Sequence, residues 1–79
     1  MAKAKAGKVV VTFHTTTQAI LMEQCCKREN VPGRLIPVPR QISAGCGMAW
    51  CAPAASRKEV EMLIKANGIE MEDMNELLL

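Results

Sequence analysis

At 79 residues the chain is one domain, and a domain of this size hides only about 60 to 65% of its unfolded surface, so a homodimer interface would be one way to extend its core. About half of the residues are apolar (49%), yet only Phe13 and Trp50 are aromatic, which leaves Val, Ile, Leu and Met to fill that core. The net charge is only +2, and three lysines of the opening MAKAKAGK carry part of it, which argues against nucleic acid as a partner.

The opening is too polar, and the VVVTF that follows too short, for a secretory signal or a membrane span, so the expected location is cytoplasmic with no membrane partner. Residues 1–7 read as a flexible basic leader and residues 8–79 as a single domain. Lys8 to Phe13, rich in β-branched residues, predicts a buried strand. Thr15 then serves as a helix N-cap, with Gln18 placed to complete a capping box, and a helix runs from about Thr16 to Glu29. Ala19, Met22, Cys25 and Cys26 share one side of that helix, which is expected to face a sheet. Asn30, Pro32 and Gly33 end it.

Arg34 to Val38 predicts a second strand. Pro37 and Pro39 lack a backbone N–H, which suits an edge strand or the mouth of a turn. After a loop of about Pro39 to Gly45, Gly47 to Ala52 reads as a third strand, with Met48, Trp50 and Ala52 on one face and Ala49 and Cys51 on the other. Pro53 closes it. Ser56 and Glu59 repeat the capping-box signature, and Val60, Leu63 and Ile64, followed by Asn67-Gly68, predict a second helix. Met74 to Leu78 is assigned as a final strand, and the methionines of this half are expected mostly in the core.

The order strand, helix, strand, strand, helix, strand is that of the ferredoxin-like α+β sandwich. Right-handed crossovers then place both helices on one face of a four-stranded antiparallel sheet, with the first and third strands central.

Four cysteines without a secretory signal, two of them adjacent, read as reduced thiols and not as a disulfide framework. Zinc is disfavoured, because paired C-x-x-C knuckles are missing: the pattern is C-C, a long gap, then C-x4-C. Cys46 and Cys51 lie about 17 Å apart along an extended strand, beyond the roughly 7 Å Cα limit for a bridge. Cys25 and Cys26 are expected to act as small core residues.

Cys46 differs, since Gly45 and Gly47 flank it. In the predicted topology the end of the first strand lies beside the start of the third, which brings Cys46 to the N-terminus of the first helix. Unpaired N–H groups and about half a positive charge there favour a thiolate. Thr15, Thr16, Thr17 and Ser43 add polar groups, Arg40 returns from the hairpin loop, and His14 is placed to exchange a proton. Glycines on both sides expose N–H groups to an anion and admit a large partner. The bland alternative is a Gly-X-Gly hairpin turn in which the thiol is incidental.

RLIPVPRQISAGCG, preceded by FHTTTQAILMEQ, resembles the small bacterial family of selenium/sulfur carrier-like proteins over nearly the whole chain. Pro37, Pro39, Arg40, Ile42, Ser43, Cys46 and Gly47 carry the most specific part. The resemblance implies a reactive Cys46 that holds sulfur or selenium as a persulfide or selenosulfide. It also implies a cysteine desulfurase or selenocysteine lyase as donor, a sulfur or selenium acceptor protein, and no cofactor. Cys25, Cys26 and Cys51 fall outside that pattern. Two other readings stand beside it: a module in which the Pro39 to Gly47 loop binds a small anion or a peptide, and a dithiol oxidoreductase that pairs Cys46 with Cys51 or with a helix thiol.

Overall fold

The computed structural model describes residues 7–40, 42 and 47–78. Strand β1 (Gly7–Thr12) leads to helix α1 (Thr16–Glu29), strands β2 (Arg34–Pro37) and β3 (Met48–Pro53), helix α2 (Arg57–Asn67) and strand β4 (Asp73–Leu78). The sheet order is β2-β3-β1-β4 and every neighbouring pair is antiparallel. This is the expected α+β ferredoxin-like sandwich, with β1 and β3 central and β2 at an edge, where the missing N–H of Pro37 costs the ladder little.

The pleat sorts the sheet residues as their alternation predicts. Val9, Val11 and Phe13 from the first strand and its exit pack with Trp50 and Ala52 of β3 against the helices. From α1 come Ala19, Met22, Cys25 and Cys26, and from α2 come Val60, Leu63 and Ile64. Each large aliphatic side chain buried here contributes about 1.5 to 3 kcal/mol of transfer free energy. Val10, Ala49 and Cys51 point to the opposite face; the first two are buried there as well.

Both helices end alike. Asn30 and Gly68 adopt the left-handed conformation at φ 58° and 62°, and the next residues, Val31 and Ile69, donate back to the carbonyls of Cys26 and Ile64. Each reversal satisfies terminal carbonyls and turns an apolar side chain onto the core. Asn67 then ties the helices together: its Nδ2 donates to Glu29 and to the Leu63 carbonyl, and its Oδ1 accepts from Arg28.

Three expectations need correction. Ser56 holds the N-cap position of α2, but its side chain caps nothing, because a tight turn over Ala54–Ser56 brings it in at φ −95°, ψ 9° instead of the extended conformation a cap requires. At α1 half of the capping box forms: Thr15 Oγ1 accepts the Gln18 N–H at 3.3 Å, whereas Gln18 Oε1 accepts from the Glu70 backbone. The methionines of the second half are mostly not core either. Met62 is 70% exposed and Met71 39%, while Met48 and Met74 only pack against the core from its margin.

Candidate functional site at the hairpin mouth

The hairpin between β2 and β3 closes with the Val38 N–H donating to the Gly47 carbonyl at 3.0 Å. Beyond that pair the chain enters a turn in which the Ile42 N–H donates to the Pro39 carbonyl at 3.1 Å, with Arg40 exposed between them. Gly47 stands at φ 75° with nothing within 4 Å of where a Cβ would sit. Backbone conformation, not crowding, therefore calls for glycine; an L-residue there costs about 1 to 2 kcal/mol. Ser43, Gly45 and Cys46 lie outside the described residues, as do residues 1–6 of the leader.

The end of the sheet at which Gly47 enters β3 is also the end at which β1 leaves it, since Thr12 is opposite Ala49. His14, Thr15, Thr16 and Thr17 follow directly and are all exposed. With Thr15 as its cap, α1 opens with no acidic residue in its own first turn, and the nearest carboxylate described at this end comes from Glu72. His14 Nδ1 lies 3.9 Å from Glu72 Oε1, and the Glu72 N–H donates to the Thr12 carbonyl at 2.7 Å. Sequence reasoning missed Glu72, because its position depends on β4 pairing with a strand some sixty residues earlier. Among the described residues no hydrogen bond or ion pair joins Arg40 to His14 or to the threonines.

The other thiols occupy different surroundings. Cys25 and Cys26 are 2% and 1% exposed, as expected of core cysteines. Burial pushes the Cys26 thiol up to about 11, with Cys25 and Glu29 adding to the effect. Cys25 Sγ accepts from Arg28 at 3.6 Å. Cys51 is half-buried on the sheet face away from the helices. Among the described residues no three His, Cys, Asp or Glu side chains converge as metal ligands, and no helix is long and apolar enough to cross a membrane.

Residues 8–76 match the model of the family described as "Putative Se/S carrier protein-like". The chain belongs to this family. The match spans β1 to most of β4 and includes the whole hairpin loop with Cys46. Searches of curated proteins and of solved structures give no match.

Proposed function

We propose that the protein carries single sulfur or selenium atoms on Cys46. The family membership, over a segment that contains Cys46-Gly47, is the observation that carries this reading. The fold supports it: the chain segment bearing Cys46 leaves the ladder at the end where α1 presents its N-terminus, and two of the other three cysteines are sealed in the core. A thiolate at that end gains from the helix N–H groups, from the hydroxyls of Thr15, Thr16, Thr17 and Ser43, and from Arg40 in the adjoining turn. Gly45 and Gly47 leave the sulfur open to a protein partner, and His14, held beside Glu72, is positioned to relay a proton.

The exchange balances without a redox partner. Cys46 thiolate attacks the terminal sulfur of a donor persulfide; the new S–S bond forms on Cys46 as the donor's S–S bond breaks, and the donor cysteine leaves as thiolate. A second exchange hands the atom to an acceptor thiolate and returns Cys46 to its starting state. A cysteine desulfurase or selenocysteine lyase is the class of donor that supplies such a group. The domain that does this runs from Gly7, the first residue of β1 and one residue earlier than expected, with the lysine-bearing residues before it as a basic leader, and acts in the cytoplasm.

Intact-mass measurement after incubation with a cysteine desulfurase and cysteine tests the reading. The expected result is a gain of one sulfur, lost on treatment with a thiol reductant and missing in Cys46→Ser. A Cys46→Ser chain that loads to the wild-type stoichiometry would refute it, and the anion- or peptide-binding module would take its place.

A further inference from the structure

We propose that the sheet face away from the helices carries a second thiol site, at Cys51, which docks small anionic disulfides and is modified by them. The site does not depend on Cys46. Arg34 is the direct cross-strand partner of Cys51, and Lys8 lies diagonally across on β1, two residues from the Val10 that pairs with Cys51 on its other side. All three residues therefore project from one face, with the direct pair about 5 Å apart at Cβ and the diagonal pair about 7 to 8 Å. They line a common cleft of about 510 Å3 whose walls are completed by Gly33, Ile36 and Pro53. Cys51 is a free thiol and half-buried, unlike the sealed Cys25 and Cys26. Outside the backbone ladder, neither the Lys8 nor the Arg34 side chain has a hydrogen-bond or ion-pair partner among the described residues.

On this face Asn75 and Leu77 of β4 sit across β1 from the thiol; the acidic Asp73 stands opposite Thr12, at the end of the face away from Lys8, and Glu76 is in register with Val9 on the helix side. The cleft thus offers one nucleophile, two unneutralised cations and an apolar wall at Ile36. That combination fits a small disulfide carrying carboxylates. Its charges pair with Lys8 and Arg34, which places an S–S bond within reach of Cys51. Cys51 thiolate attacks one sulfur, a mixed disulfide forms, the ligand's own S–S bond breaks, and its other half leaves as a thiolate. Reversal by a free small thiol restores Cys51.

Exposure of the purified protein to oxidised glutathione, which is anionic, and separately to cystamine, which is cationic, decides the matter. Tandem mass spectrometry must localise the adduct, since Cys46 and Cys51 share a tryptic peptide. The proposal predicts that Cys51 reacts faster with oxidised glutathione than with cystamine. Each cation removed should slow the reaction with oxidised glutathione by about threefold, the value of one charge pair near 7 Å in water, and should not slow cystamine, so the Lys8→Gln/Arg34→Gln double variant should react about tenfold more slowly with oxidised glutathione. High salt should erode the preference in the wild type as well. Cystamine doubles as the control for altered exposure of the thiol, because a loosened variant would react faster with both reagents. An unmodified Cys51, a wild-type preference for cystamine, or a preference that the double variant leaves unchanged would each overturn the proposal.

Discussion

Raising the pH should drain stability from this fold through one buried thiol, and Cys26→Ala should remove that loss. Cys26 is 1% exposed, and its thiol is pushed from 9.0 up to about 11, mainly by burial. A group whose folded-state pKa lies above its unfolded one stabilises fully below the unfolded value and loses that contribution as the pH climbs through the folded one. The window is therefore about pH 9 to 11. With each pKa unit worth about 1.4 kcal/mol, the wild type should lose about 1 kcal/mol from this site by about pH 10 and about 2 kcal/mol by about pH 11. Against that, Cys26→Ala removes a buried sulfur and should cost about 1 kcal/mol, or slightly more, at about pH 7. Urea unfolding followed by the fluorescence of Trp50, repeated across this range, should show two stability curves that converge with rising pH and cross near about pH 10. Comparing the two chains cancels the titration of the lysines. Curves that stay parallel from neutrality upward would show that Cys26 is not held neutral by burial.

Three other outcomes follow from the geometry. A Cβ on Gly33 would meet Trp50 Nε1 at 2.5 Å and the Cys51 carbonyl at 2.8 Å, at φ 138°. Gly33→Ala should therefore cost about 2 to 4 kcal/mol by denaturant unfolding, from backbone strain and overpacking together; a loss below about 0.5 kcal/mol would mean that the indole has room to move. Thr15→Val removes the acceptor for the Gln18 N–H and should cost about 1 kcal/mol; the same variant should move the pH midpoint for alkylation of Cys46 upward if α1 stabilises that thiolate, and an unmoved midpoint would separate the cap from the thiol. Asn67→Ala leaves Glu29 and Arg28 without their shared partner on α2 and should lower the melting temperature, with a loss of about 1 kcal/mol; an unchanged melting temperature would show that these exposed bonds contribute nothing.

Most of the architecture was legible because its signals are local. β-branched Val9 to Val11, the Thr15 cap, and Asn67-Gly68 each act within a few residues, and alternation alone assigned Met48, Trp50 and Ala52 to one face. The misreadings have equally physical causes. Met62 is apolar, but it lies two residues from Val60, which is about 200° around a helix, so a helix that buries Val60, Leu63 and Ile64 must turn Met62 to solvent. Ser56 carries the right side chain for a cap, yet the turn that connects Pro53 to α2 sets its backbone, and no residue pattern specified that turn. At the site, Gly47, His14 and the threonines were reachable from strand order. Glu72 beside His14, and the meeting of Lys8, Arg34 and Cys51, depend on cross-strand register, which pairs residues far apart in the chain.

The carrier reading rests on Cys46 both taking and surrendering an atom, and one charge-and-discharge cycle tests both halves. The protein is loaded with isotopically labelled sulfur from a cysteine desulfurase, freed of donor, and mixed with an excess of an acceptor thiol, and its intact mass is followed with time. The account predicts one labelled sulfur per chain, located on Cys46, that transfers to the acceptor as the mass returns to that of the unloaded chain. Label found on Cys25, Cys26 or Cys51 instead, or label on Cys46 that the acceptor cannot remove, would contradict it.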